Sequence, residues 1–248
     1  MKPTIDLAVI CVYNKYDKLN QYLLQSIELQ NVNCERVFID NTKNRFSSAA
    51  SALNYGASKA KSKYLLFAHQ DIVFNDQKQL LRIYRSLEEN PSFVIGSAGV
   101  RIGEKGIFST MIDGSEKTPA GSHTITSLTT CDVLDECLMA CRKDVYEKIR
   151  FDPITCDYWD LYVVDFCLAA KCKGYSVGVV PLNVWHVSPG SPKKEFYQCV
   201  SKLLKKYRGK YPRLQTCCVT IPIETNRIGT IKLHIIEKRY FLKKKLGS

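Results

Sequence analysis

Residues 64–74 read Tyr64-Leu-Leu-Phe-Ala-His-Gln-Asp-Ile-Val-Phe74. Five mostly apolar residues run straight into an imidazole, an amide and a carboxylate, and then the chain turns apolar again. An apolar run of this length predicts a strand covered on both faces. His69, Gln70 and Asp71 then sit where the strand leaves the core. They are either ordinary surface residues or a site carried on the strand's end.

The flanking sequence bears on that choice. Leu7–Tyr13 is a second continuous apolar run, and Arg36–Asp40 is a short strand ending in a carboxylate. Between and after them lie helix-like stretches at Tyr16–Gln30, Ser47–Ala60 and Gln77–Glu89, with apolar residues at helical spacing. Ser47 or Ser48 is a plausible cap, and Asn90-Pro91 closes the third helix. Strand alternating with helix at this pace implies a parallel sheet with right-handed crossovers. Ligands of such sheets sit beyond the carboxyl ends of the strands. Tyr13-Asn14, Asp40-Asn41 and His69-Gln70-Asp71 all fall at that edge, which favours a site.

The pattern changes from about Ala98. Residues 100–130 carry scattered glycines and many Ser/Thr, and short strands and loops are expected there. Asp132–Ala140 is apolar around Asp135 and Glu136. Lys143–Ile149 reads as a short helix and Tyr158–Lys173 as a longer one ended by Gly174. A strand follows at Tyr175–Val180, then Val184–Pro189, a Ser188-Pro189-Gly190 turn and a basic helix from about Pro192 to Arg208. Residues 209–248 give little to read beyond the basic run Phe241–Lys245 and a terminal Gly247-Ser248 that could be disordered.

The bulk numbers set bounds. A chain of 248 residues, 45% of them hydrophobic, can bury a sizeable core. The formal charge is +12, and residues 193–248 alone hold fifteen Lys/Arg against three Asp/Glu, so residues 1–192 are neutral. The organisation expected is a domain over 1–192 and a basic extension over 193–248. The start of the chain shows no signal-peptide h-region and no apolar run long enough to span a bilayer, so a cytoplasmic protein is expected. The eleven cysteines include no Cys-x-x-Cys pair, and reduced, mostly buried thiols are expected.

Four stretches carry a resemblance: "AVICVYN" (8–14) with "FIDN" (38–41), "LNYGASKAKSKYLLFAHQDIVF" (53–74), "LDECLMACRKDVYEKIRFDP" (134–153) and "DYWDLYVVDFCLAAKCKGYSVGVVPLNVWHVSPG" (157–190). In this order they resemble family 2-like glycosyltransferases of the GT-A fold, in the branch whose metal motif reads His-Gln-Asp. The resemblance covers residues 1 to about 190 and implies an α/β fold with a mixed, mostly parallel sheet flanked by helices. It implies a nucleotide-sugar donor, UDP-sugar favoured, a glycan or lipid-linked acceptor, and Mn²⁺ or Mg²⁺ as the cofactor. Surface polysaccharide synthesis is the implied setting.

Residue by residue, the resemblance puts the metal on Asp71, with His186 completing the shell, and His69 and Gln70 against the nucleotide. Asp40 would bond the base or ribose, framed by Tyr13, Asn14 and Asn41. Arg45 and Asn54 would face the phosphates. Plainer readings stand beside these: Asp71 capping a turn, His186 a hydrogen-bonded histidine beside Trp185, and Asp40 an Asx-turn residue.

One position departs from the family. Inversion needs a carboxylate to take the acceptor hydroxyl's proton. The family carries it two residues before the aspartate matched by Asp165, and here that place is Val163. Asp160, one helical turn earlier, is the first substitute, with Asp135 or Glu136 as others. Helix-terminus charge would also explain Asp160. A transferase-like module that binds without turnover is the alternative function.

The basic extension offers a partner. A Lys-rich helix over 193–208 and the terminal lysines suit an anionic membrane surface through residues 193–245, with a peripheral location. A helix docked on the sheet is the plainer reading. Nucleic acid is not expected, because the front of the chain is neutral and its aromatics form no stacking platform.

Overall fold

Leu7, Val9 and Cys11 point to one side of their strand and Ala8 and Ile10 to the other, and all five are fully buried. Leu65 and Leu66 are likewise fully buried and face opposite sides. Each such Leu, Val or Ile side chain removed from water is worth about 1.5–3 kcal/mol. Runs like these belong in the middle of a sheet covered on both faces.

The computed structural model describes residues 1–188, 190–219 and 221–246, without the side chain of Leu246. Pro189 of the expected turn and the terminal Gly247-Ser248 lie outside the described residues. The first half contains β1 (Thr4–Tyr13), α1, β2 (Asn33–Asp40), α2 (Ala49–Lys59), β3 (Tyr64–Ala68), β4 (Ile72–Phe74) and α3 (Gln79–Glu89). Helix α1 joins α-helical Tyr16–Leu19 and Gln25–Glu28 through a π-helical turn at Asn20–Leu24. Next come β5 (Phe93–Gly96), β6 (Ala98–Val100), β7 (Phe108–Ser109), β8 (Ile112–Asp113), β9 (Thr118–Pro119), β10 (Thr129–Thr130), β11 (Val133–Leu134) and β12 (Leu138–Arg142). The chain ends with α4 (Lys143–Ile149), α5 (Tyr162–Cys172), β13 (Ser176–Val179), β14 (Val184–His186), α6 (Lys194–Lys206), β15 (Arg213–Leu214), β16 (Ile223–Glu224) and α7 (Arg227–Leu246).

The main sheet has the order β10-β13-β5-β12-β3-β1-β2. β2, β1 and β3 are mutually parallel, β13 runs parallel to β5, and β12 is antiparallel to both β3 and β5. The sheet is therefore mixed, as expected. Ser48 caps α2 by accepting from the Ser51 N–H, and Gly56 lets that helix close on the sheet: a Cβ there would meet Ile10 at 2.7 Å. A small sheet of order β4-β14-β8-β9 sits beyond the end of β3.

Two expectations need correcting. The helix expected at Tyr158–Lys173 begins only at Tyr162, so Asp160 is not on it and does not share a helical face with Val163. Leu161 stops the helix from extending backwards, because its φ of 65° is left-handed. The apolar face of α6, with Phe196, Val200, Leu203 and Leu204, is buried in the same core as the sheet, so that face is not available to lipid. Tyr207 just beyond it donates to the Asp165 carboxylate at 2.8 Å. Residues 209–246 form the β15–β16 hairpin and the long helix α7. All eleven cysteines are free.

Candidate functional site

The turn His69-Gln70-Asp71 joins the large sheet to the small one. The His69 N–H donates to Cys137 O at 3.0 Å, extending the β3–β12 ladder by one bond, and the Ile72 N–H closes the turn on His69 O. In the small sheet Ile72, His186 and Asp113 stand in one row across β4, β14 and β8. That register brings His186 beside Asp71, one residue before Ile72.

His69, Asp71 and His186 each offer one ligand atom, and these atoms lie within 4.8 Å of one another. The Asp71 carboxylate is buried, 3.7 Å from His186 Nε2. That gap is too long for a hydrogen bond. His186 Nδ1 is instead paired with Asp113 Oδ1 at 2.9 Å, which leaves Nε2 as the lone-pair nitrogen facing Asp71. Burial works against a proton on His186, but the Asp113 bond and the Asp71 charge outweigh it and raise its pKa. His69 Nε2 lies 3.1 Å from the Tyr162 hydroxyl, which donates to Glu136 O. This chain assigns the ring proton to Nε2 and leaves Nδ1 unprotonated. Burial and the neighbouring His186 push the His69 pKa down to about 4, keeping the ring neutral. One carboxylate and two imidazoles, one held by a carboxylate behind it, fit a divalent cation, which would bind each ring through an unprotonated nitrogen.

The two histidines and Asp113 face a cavity of about 250 Å³. His69, His186 and Asp113 line it, and so do Asp135, Glu136 and Asp160. The structure thus brings all three proposed bases to the metal trio. They are not equivalent. Asp135 accepts from the Cys137 N–H at 3.0 Å and Glu136 from the Leu161 N–H at 2.6 Å. Asp160 makes no side-chain hydrogen bond among the described residues. Burial raises the Asp160 pKa against the opposing pull of Lys193. Burial, then the charges of Asp135 and Asp160, raise Glu136 further. Val163 is fully buried in the core, so the family's usual place for the acid is apolar here. Asp165 two residues on is also buried, paired with Lys206 at 2.7 Å.

At the edge expected to hold a nucleotide the placements divide. Tyr13 and Asp40 stand opposite each other at the ends of β1 and β2. Gln70 grips the end of β1: its Oε1 accepts from the Asn14 and Lys15 N–H groups, and its Nε2 donates to Asn14 Oδ1 at 2.8 Å. Asp40 Oδ1 accepts from the Thr42 N–H and hydroxyl, and these bonds lower its pKa. It is thus an Asx-turn residue that stays exposed. Asn41 is buried and spends its amide on both backbone groups of Phe46, so its side chain is not offered to a nucleotide. Asn54 is also committed, donating to Phe151 O and accepting from the Phe151 N–H and Tyr146 hydroxyl, rather than facing phosphates. Arg45 is exposed, its guanidinium resting 4.7 Å from the Tyr55 ring centroid.

Several lining residues went unread in the sequence. Asp113 sits in the glycine-rich region and gains meaning only through the β8–β14 pairing. Tyr162, which holds His69 from behind, falls inside the helix expected at Tyr158–Lys173. Trp159, Phe196, Cys217 and Cys218 also line the cavity, so the basic extension supplies part of its wall.

No curated protein matches the chain by sequence. Among solved structures, GalNAc-T7 with UDP, GalNAc and Mn²⁺ superposes with a TM-score of 0.55 at 10% identity, over 80% of this chain and 47% of that one. Staphylococcus aureus TarS 1–349 in complex with UDP-GlcNAc gives 0.54 at 13% identity, over 81% and 66%. The chain thus spans between about half and two thirds of these structures. At such identities the likeness is one of fold, and that fold is GT-A. A family model described as "Glycosyltransferase like family" matches residues 8–211, and the chain belongs to that family.

Proposed function

We propose that the protein is an inverting glycosyltransferase that moves a sugar from a UDP-sugar to a glycan or lipid-linked acceptor in surface polysaccharide synthesis. One observation carries this reading: His69 and His186, whose ligand atoms gather with that of Asp71, line one cavity with the candidate bases Asp135, Glu136 and Asp160 at the carboxyl edge of the sheet. The solved structures of similar fold that contain UDP and UDP-GlcNAc support the donor class.

Tyr13 and Asp40 frame the base and ribose, with Asn14 and Gln70 holding the floor between β1 and β3. Arg45, exposed and resting on the Tyr55 ring, is the proposed contact to the phosphates. His69, Asp71 and His186 would hold Mn²⁺ or Mg²⁺, and two imidazoles in the set would favour Mn²⁺. When bound, the cation neutralises charge on the leaving diphosphate. The acceptor's hydroxyl oxygen attacks the anomeric carbon, the bond from that carbon to the nucleoside diphosphate breaks, and the hydroxyl proton passes to a carboxylate. Asp160 is assigned this role because its carboxylate is uncommitted. A cytoplasmic location belongs to the same proposal.

Thermal unfolding with UDP-, GDP-, dTDP- and CMP-sugars, with and without Mn²⁺, tests the donor reading. A ligand that binds only the native state raises Tm. UDP-sugars should raise it only with the metal. No rise with any sugar nucleotide would remove the proposal. The buried Val163 favours one other reading, a module that binds donor without transfer. Metal-dependent donor binding without turnover across an acceptor panel would establish it.

A further inference from the structure

Helix α7 has two apolar faces, and the core uses only one. Leu233 is buried, while Ile236, Tyr240 and Phe241 pack partly buried against the core, the last two beside Tyr197 of α6. Gly229 fixes this seating: a Cβ there would collide with the Glu224 backbone. On the other side Ile228, Ile231, Ile235 and Leu242 are 46% to 68% exposed. They are four of the ten large hydrophobics exposed among the described residues. At 100° per residue they fall within about 60° of arc, opposite Leu233.

The charges follow this outer stripe. Arg227 and Lys238 border it on one side, Arg239 and Lys243 on the other, all exposed. The helix holds seven Lys/Arg and a single acid, Glu237, which turns toward the inner side. An apolar stripe between two basic rows suits a helix lying in the plane of an anionic lipid surface. A second copy of the chain fits poorly, since two such faces would meet with like charge. Nucleic acid would use the lysines but leave the isoleucines in water. No described helix is long and apolar enough to cross a membrane.

We propose that the outer face of α7, through Ile228, Ile231, Ile235 and Leu242 with their flanking basic residues, docks the protein on an anionic membrane surface. The stripe, and not the buried apolar face of α6, enters the lipid. The inner side of the same helix reaches the cavity's rim: Tyr240 and Lys244 both hydrogen-bond Ser191, a lining residue. Docking therefore holds the cavity mouth near the lipid surface. This reading is independent of sugar transfer, because vesicle binding needs no turnover.

Co-sedimentation of the full chain with vesicles tests it. Vesicles of phosphatidylcholine with phosphatidylglycerol should bind the protein, and pure phosphatidylcholine should bind it at least tenfold less. Binding should weaken as salt is raised through the range that screens surface charge. The double variant Ile231→Asp/Ile235→Asp should lose tenfold or more in vesicle affinity at unchanged Tm, since both side chains are exposed. In a second variant, Ile235→Trp, fluorescence should shift to the blue on anionic vesicles. Absence of binding, binding that survives the double aspartate variant, or a tryptophan that stays in water would each overturn the proposal. So would a dimer in solution that the same aspartates dissociate, or a preference for RNA or DNA over vesicles.

Discussion

His186 and Asp113 face each other from adjacent parallel strands, Nδ1 to Oδ1 at 2.9 Å. The carboxylate fixes the ring's tautomer and turns Nε2 toward Asp71. Removing such an outer partner typically weakens metal affinity about 10–100-fold. Asp113→Ala should show that loss in a Mn²⁺ titration, with Tm in the absence of metal nearly unchanged.

Asp71 is the only carboxylate in the trio. Asp71→Ala should abolish the metal-dependent rise in Tm with a UDP-sugar while the fold persists. A rise equal to that of the parent protein would exclude Asp71 from the metal shell.

Asp160→Asn should spare donor binding and lower turnover by about 10²-fold or more, the range for a lost general base. The base must be ionised to act, and burial lifts the Asp160 pKa above its ordinary value. The rate should therefore fall on the acid side, with its midpoint above that of an exposed aspartate. A near-normal rate in the variant would move the role to Glu136 or Asp135.

Asp165 ties α5 to the end of α6 through Lys206 and Tyr207. Asp165→Ala leaves Lys206 with Asp152 and takes a partner from the buried Tyr207 hydroxyl, and should cost about 1–3 kcal/mol in urea unfolding. Tyr207→Phe should cost about 1 kcal/mol.

Asp152 gives a pH signature. Burial alone would raise its pKa, but Lys206 and Thr155 overcome this and hold it well below the usual range. A depressed folded pKa gives stability that is complete above the unfolded value, about 4, and is lost as pH falls below it. Acid unfolding monitored by circular dichroism should show this loss, and Asp152→Asn should flatten it.

What could be read in the sequence was what local pattern encodes. The apolar runs of β1 and β3 and the polar ends Tyr13, Asp40 and His69 announced the sheet and its functional edge. Asp160 was misplaced because a left-handed Leu161 leaves no periodic trace. Asn41 and Asn54 looked like ligands because an amide's partners are invisible until the chain folds. Asp113 and Cys217 were silent because they reach the cavity through pairings distant in sequence. The extension's second apolar face was hidden because α7 is apolar on both sides, which blurs helical periodicity.

The cavity wall built by Gly190, Pro192, Phe196, Cys217 and Cys218 has an evolutionary corollary. On the proposed reading, the first half of the chain holds the donor's nucleotide, while residues from Gly190 onward supply one wall of the cavity an acceptor would enter. Under that proposal, grafting residues 190–219 from one relative to another is expected to change the acceptor while the donor stays the same.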